Sequence, residues 1–491
     1  MNIAGEKFGS PDDLSIATMQ NNPEGLFQTS WNTAMGQGRI HQFAFFVLNN
    51  WALSEQHQLI TPIIKFSSVM LIFLLFSYLI STIYGGLVSL FTSLLLISTV
   101  VTTGEYNAIN SFPLWFTLGI ISFLFSLILF NKLLQKYSLG NLILFAISFF
   151  IALFSSEVFF LLLLTYPLLQ LKMQGESEWR IKLTSALKYY LLIMAITVSY
   201  FLVYLAFKLN TRGTYEGASL SFDQPLRSLL STGALSVGQA NVYGIKRQII
   251  DGGIYFNPLI ATIFVLVISL LFWSLKKNTL EIRTIRFKEI FAVILLALLG
   301  NVILGFTVKY SIIGLVYPLY VNSLISYLFI ILATSLLILK FAGNKWFSFL
   351  AIFSIAIFGY ISFLDQINQY EKLKVNQNVF KVVDCIIGDP NLSSFLKSDV
   401  VSNDIAVLSK AYDYNYFGER FRTKTGSDYF FHRNLKENIA TGDFSTINLY
   451  LLKEFAAGSI SNHKGNDLID KIDFRLDYDL CRFELINLTP K

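Results

Sequence analysis

Apolar residues along this chain come in long unbroken runs rather than in narrow amphipathic stripes. "SSVMLIFLLFSYLISTIYGG" (67–86) and "ATIFVLVISLLFWSL" (261–275) contain no charged residue. Such runs approach the ~20 residues that cross a hydrocarbon core as a helix. Candidate spans fall near 67–83, 86–102, 112–130, 140–154, 157–171, 188–207, 256–275, 289–306, 323–339 and 346–364. The fourth and fifth are short, and together they fit one bent or re-entrant element. From residue 365 the pattern changes to mixed, charged and turn-rich sequence. There "DVVSNDIAVLS" and "YDLCRFELINL" read as strands, and "FSTINLYLLKEFAAG" reads as a helix with a Gly stop. The predicted fold is therefore an all-α polytopic membrane protein of about 10 transmembrane helices, followed by a small C-terminal α/β domain. Three regions result: 1–66, a first loop with interfacial helices; 67–364, the helical membrane domain; and 365–491, the tail domain.

Composition agrees with that pattern. Of 491 residues, 54% are hydrophobic and only 14% charged, with mean hydropathy +0.55. Soluble domains carry about 25% charge, so a soluble enzyme is excluded. The net charge of +6 resides in loops and does not point to nucleic acid. Alternate loops differ sharply in cations. One set holds thirteen Lys and Arg, from Lys132 and Lys136 to Lys340 and Lys345, within about 45 residues; the other set is far sparser. Positive charge marks the cytoplasmic side, so 1–66 and 365–491 are expected outside. An outer amino terminus without a preceding span calls for an upstream helix that this sequence lacks. Cys385 and Cys481 both fall in the tail, where an oxidising compartment favours a disulfide; two unrelated buried thiols are the alternative.

Candidate chemistry gathers at the outer ends of the spans. "SPDDLSIAT" carries adjacent carboxylates, Asp12 and Asp13, which suit either a helix start capped by Ser10 or a catalytic pair. "LFSSEVFF" sets Glu157 between two apolar runs, a functional candidate, or a hydrogen-bonding partner for Ser155 and Ser156. Arg212 and Tyr215 follow a span in "RGTYEG", and Lys309 stands at the outer end of another. Cations beside carboxylates at one membrane level suit a lipid-linked phosphate ligand. The four His, at 41, 57, 432 and 463, lack metal-ligand spacing. No cofactor is required, although carboxylate-bound Mg²⁺ or Mn²⁺ is compatible with the residues.

Together, "PDDLSIAT", "GQGRIHQF", "SSEVFF", "RGTYEG" and a terminal outer domain resemble the GT-C membrane glycosyltransferases. The nearest likeness is to bacterial glucosyltransferases that decorate O-antigen from undecaprenyl-phosphate-glucose. The resemblance implies transfer of a hexose, glucose above all, from a polyprenyl-phosphate donor to a cell-surface glycan at the outer face of the bacterial inner membrane. It further implies Asp12 or Asp13 as catalytic base, Arg39 as an organiser of the first loop, Glu157 as the acidic residue of a later outer turn, and Arg212 and Tyr215 facing donor or acceptor; Lys309 joins these substrate-binding candidates from its place at the outer end of a span. The missing first helix departs from the family pattern. Two other readings stand beside it: a flippase or transporter of lipid-linked glycans, and an O-antigen polymerase. Nearly charge-free spans, with charge at their ends, speak against a midplane transport path.

Overall fold

A computed structural model describes residues 23–36, 38–53, 60–100, 107–174, 179–210, 222–239, 285–316, 322–341, 352–367, 405–407, 446–452, 468–477 and 482–490, with isolated helical positions between 258 and 269 and at 346 and 350. The chain forms two compact units. The larger contains the helices, and the smaller contains the strands.

In the larger unit, α1 (Pro23–Gly36) leads through a 3₁₀ turn, Ile40–Gln42, into α2 (Phe43–Leu53). Further helices follow: α3 (Ile60–Tyr84), α4 (Gly86–Thr99), α5 (Phe116–Gln135), α6 (Leu139–Ser155), α7 (Thr165–Gln174), α8 (Trp179–Asn210), α9 (Pro225–Val237), α10 (Phe287–Gly305), α11 (Tyr310–Val316), α12 (Ser323–Lys340) and α13 (Ile352–Ile367). Among the described residues, five helices are long and apolar enough to cross a membrane: α3, α5, α10, α12 and the Ala186–Ala206 stretch of α8. Shorter apolar helices lie at 86–99, 139–155, 158–172 and 352–367. This is a mainly helical membrane protein. The run at 256–275 lies largely outside the described residues.

Two boundaries differ from the sequence reading. α3 begins at Ile60 rather than near 67, because Pro62 sits in its first turn, where a missing N–H costs nothing. Thr61 also ties that turn back by donating its hydroxyl to the Ala52 carbonyl. The fifth run is a helix of uneven winding rather than one regular α-helix. A single turn, Val158–Leu161, passes through a 3₁₀ turn, Leu162–Leu164, before α7. Pro167 has no N–H to give the Leu163 carbonyl, and this breaks the ladder there.

α5 and α12 are the inner helices, with 72% and 78% of their apolar windows buried against 22% for α8. Phe123, Phe130, Phe145, Phe149 and Tyr166 form a packed aromatic core between α5, α6 and α7. Buried hydroxyls in that core and beside α12 pair with each other: Ser126 with Tyr166 at 2.6 Å, and Tyr327 donating to Thr99 at 2.6 Å. Small residues let α9, α10, α11 and α12 approach closely. A Cβ added to Gly300, Gly305 or Gly314 would run into Ser326, Thr232 or Ser231 respectively. Asn301 spans that seam, donating to Ser326 Oγ at 2.8 Å and Ser236 Oγ at 3.3 Å. Each such interhelical bond contributes about 0.6 kcal/mol; dense packing does the rest.

The smaller unit carries an antiparallel four-stranded sheet in chain order: β1 (Ile405–Val407), β2 (Thr446–Leu452), β3 (Leu468–Asp477) and β4 (Arg482–Pro490). β2 overturns the helix expected over 444–458. Its register runs Thr446 opposite Arg475 to Leu451 opposite Asp470. Thr446, Ile447 and Tyr450 suit a strand, and the neighbouring β3, with polar and apolar residues alternating from Lys471 to Asp477, offers a full ladder partner.

Candidate functional site

The site grows from the end of α1. Gly38 adopts φ of 66°, a left-handed conformation that only glycine takes without strain. Its N–H donates to the Met35 carbonyl at 3.0 Å, and the Arg39 N–H donates to the Ala34 carbonyl at 2.8 Å. These two bonds are the Schellman pattern of a helix C-terminus. The chain reverses there and carries Arg39, His41 and Gln42 inward on the 3₁₀ turn.

Opposite them, α6 ends at Ser155, and Ser156 is extended (φ −161°, ψ 143°). The Trp115 indole donates to the Ser155 carbonyl at 2.6 Å. Gly119 on α5 leaves room for that turn, since a Cβ there would collide with Ser155 and approach Phe159 at 2.9 Å. Ser155 turns its hydroxyl back to the Ala152 carbonyl (2.7 Å), and Ser156 Oγ accepts from the Val158 N–H (3.4 Å). Both serines are thus occupied locally, and Glu157 is left to find partners elsewhere.

It finds Arg39. The guanidinium Nε lies 3.1 Å from Glu157 Oε1, with the two side chains only 16% and 23% exposed. Gln42 Nε2 approaches the other carboxylate oxygen at 3.5 Å, the long limit of a hydrogen bond. Burial pushes the Glu157 carboxyl up; the charge of Arg39, with smaller help from a backbone hydrogen bond, His41 and Gln42, outweighs it. The net effect holds the carboxyl below its ordinary value. His41 is pushed down to about 4, first by burial and then by Arg39, against the pull of Glu157. At neutral pH its ring is therefore uncharged, with one donor and one acceptor nitrogen.

Aromatic rings frame the imidazole edge-on. Tyr200 stands 5.3 Å away at 88°, Tyr204 at 5.6 Å and Phe154 at 6.3 Å. Tyr200 and Tyr204 share one face of α8 by their four-residue spacing. Several buried polar atoms here have no hydrogen-bond partner among the described residues: both His41 nitrogens, Gln42 Oε1 and the Tyr200 hydroxyl. Leaving one such group unmade costs about 1–3 kcal/mol. Four around one ion pair mark a place equipped to bind a polar molecule.

Two residues singled out in the sequence, Arg39 and Glu157, are thus brought together. Lys309 stands in a separate cluster, its ammonium 5.4 Å from the ring centroid of Tyr310, which packs with Leu235 and Leu304. Asp12, Asp13, Arg212, Tyr215, Cys385 and Cys481 lie outside the described residues. His41, Gln42, Tyr200 and Tyr204 were missed. The first two sit within "GQGRIHQF", and a polar pair entering an apolar run was the available signal.

Comparison with known proteins adds no identity: no family model, curated protein or solved structure matches the chain.

Proposed function

We propose that this protein is a membrane glycosyltransferase of the GT-C kind, moving a hexose from a polyprenyl-phosphate donor to a surface glycan on the extracytoplasmic face of a bacterial inner membrane. The observation that carries the reading is the shielded Arg39–Glu157 pair surrounded by unpaired donors and acceptors. A sugar phosphate presents many hydroxyls and one anion. Neutral His41, Gln42 and Tyr200 suit the hydroxyls, and Arg39 suits the anion. In this reading Glu157 stays ionised and fixes the guanidinium rather than reacting. The topology belongs to the same proposal: about ten spans, with 1–66 and an α/β tail domain on the outer side.

The reaction needs a base for the acceptor hydroxyl and charge compensation for the leaving phosphate. Asp12 is assigned as the base, with Asp13 orienting it or substituting for it. The acceptor oxygen attacks the anomeric carbon as its proton passes to the carboxylate. The bond from that carbon to the phosphate oxygen breaks, and polyprenyl phosphate leaves with the electron pair. A single displacement inverts the anomeric centre. The test is transfer from a radiolabelled polyprenyl-phosphate hexose in membranes, with expression checked for each variant. Asp12→Asn is expected to lower transfer by ~10²-fold or more, and Arg39→Gln to raise KM for the donor. If Asp12→Asn and Asp13→Asn both retain near-normal transfer, the base assignment is wrong. If the unaltered protein transfers no hexose, the enzyme reading is wrong.

A further inference from the structure

α9 is built inside out. Ser228, Ser231, Thr232, Leu235 and Ser236 share one helix face by their three- and four-residue spacing, and all five are buried. On the other face Leu226, Leu229 and Leu230 stand more than half exposed, and Val237 is exposed as well. A helix at a water surface has the opposite arrangement, with leucines turned inward and hydroxyls outward. The buried hydroxyls are engaged. Ser231 donates to the Tyr310 carbonyl at 2.7 Å and Thr232 to the Ser228 carbonyl at 2.8 Å, while Ser236 shares its proton between the Thr232 (2.8 Å) and Ala297 (3.2 Å) carbonyls. Close packing through small and hydroxyl residues is how helices associate in lipid, where a leucine gains nothing by turning inward.

The neighbouring helix sets the depth. α10 is long and apolar enough to cross a membrane, and α9 runs antiparallel to its second half. Phe222, just ahead of α9, meets Phe306, just past α10, with ring centroids 5.5 Å apart. Thr232 sits against Gly305, and Ser236 reaches the carbonyl of Ala297, next to residue 296, the midpoint of the 287–305 helix. α9 therefore starts level with one end of α10 and finishes at its middle. Its 13 residues rise about 20 Å, too short for the ~30 Å hydrocarbon core but enough to reach its centre. Charge follows the same course. Asp223 and Arg227 stand at the start, where Arg227 donates to Gln224 Oε1 at 2.9 Å, and no charged residue occurs from Ser228 to Gln239.

We infer that α9 is immersed in the hydrocarbon layer to about half its depth, and that Leu226, Leu229, Leu230 and Val237 form a contact surface for the acyl chains of membrane phospholipid. A helix packed along the second half of a membrane-crossing neighbour lies at hydrocarbon depth, so its outer face meets acyl chains rather than water. This rests on the membrane character of the chain and not on the transferase reading, and it assigns the lipid no chemical step.

Photolabelling of the full chain in phosphatidylcholine liposomes provides the test. One phosphatidylcholine probe carries a diazirine at the middle of an acyl chain, a second carries it near the ester, and marked residues are located by peptide mass spectrometry. The mid-chain probe is expected to mark Val237 and Leu230 along with Leu295, an exposed residue near the middle of α10. The near-ester probe should favour Leu226 over Val237. Val237→Asp should lower the melting temperature in liposomes more than Leu226→Asp, because a carboxylate held at the bilayer centre is the more costly. Marking of Leu295 without any marking of α9 overturns the contact surface. So does marking of Leu229 and Leu230 by a water-soluble diazirine, which identifies water on that face. A cross-linked dimer from p-benzoylphenylalanine placed at Leu230 identifies a second copy there and overturns the lipid as occupant. Equal marking of Leu226 and Val237 by both probes, or equal melting losses in the two Asp variants, overturns the half-depth insertion.

Discussion

Neutralising Glu157 should harm the fold more than neutralising Glu157 and Arg39 together. At 3.1 Å, and with an effective dielectric of ~20, the attraction between the two charges is about 5 kcal/mol. Desolvation of two largely buried ions cancels much of this, so the intact pair contributes little net. Removing one partner is different, because the desolvation cost of the other remains. For full burial that penalty is ~3–5 kcal/mol; residual exposure of about a fifth brings it to ~2–3 kcal/mol. Glu157→Gln and Arg39→Gln should each cost that much. The double variant, with two amides able to hydrogen-bond, should cost only ~1–2 kcal/mol, giving a coupling of about 3 kcal/mol. Thermal unfolding of the four proteins in one detergent would measure it, the single variants melting several degrees below the parent and the double variant recovering much of the loss. Additive losses, with coupling below ~0.5 kcal/mol, would show that the charges do not act on each other and would refute the electrostatic account of the site.

His41 gives the protein a pH signature. Its folded value of about 4 lies below the ordinary 6.5, so between those values the unfolded chain binds more protons. Stability should then rise with pH from about 4 to 6.5 by up to ~3 kcal/mol and level off above; His41→Phe should flatten the curve, and an unchanged slope would assign it to other groups. Glu157, held below its usual value, contributes stability above the ordinary carboxylate range that is lost only as pH falls through its lower folded value. Gly38→Ala should cost ~1–2 kcal/mol because of its positive φ, whereas Gly36→Ala, where an added Cβ meets nothing within 4 Å, should be neutral or stabilising; equal effects on melting would dismiss the turn as the determinant. Cys385 and Cys481, if bridged, close a loop of about 95 residues worth up to ~4–5 kcal/mol. Mass-tagging of unfolded, unreduced protein should find no free thiol, and two tagged cysteines would end the idea.

The helices were legible because an apolar run has one solution in a membrane, and α3, α5, α10 and α12 appear where such runs lie. Their ends were less so. Pro62 moved one start back by seven residues from the expected 67, and Pro167 made another run wind unevenly. Arg39 and Glu157 stood out individually as polar residues beside apolar sequence, but their pairing depends on how α6 and the 3₁₀ turn meet, a contact with no local signature. Tyr200 and Tyr204 were invisible for a related reason: within an apolar helix, a tyrosine reads as one more bulky side chain until a ring such as His41 faces it. β2 was misread although Thr446, Ile447 and Tyr450 suit a strand, because the Leu-Leu-Lys-Glu run at 451–454 reads as helical and the ladder partner lies some twenty positions later in the chain.

The distance in sequence between Arg39 and Glu157 also has a consequence for biogenesis. The two are 118 positions apart (157 − 39), so at roughly 5–20 residues per second the ribosome makes the arginine about 6–24 s before the glutamate. Throughout that interval the 3₁₀ turn carries a cation without its counter-ion, and water is the cheapest place to keep it. The segment ahead of α3 should therefore wait in a hydrated state while α3, α4 and α5 enter the bilayer, and dock only when the end of α6 arrives. A chain arrested before residue 157 would hold Arg39 accessible to a water-soluble arginine reagent, and a chain arrested well beyond it would not.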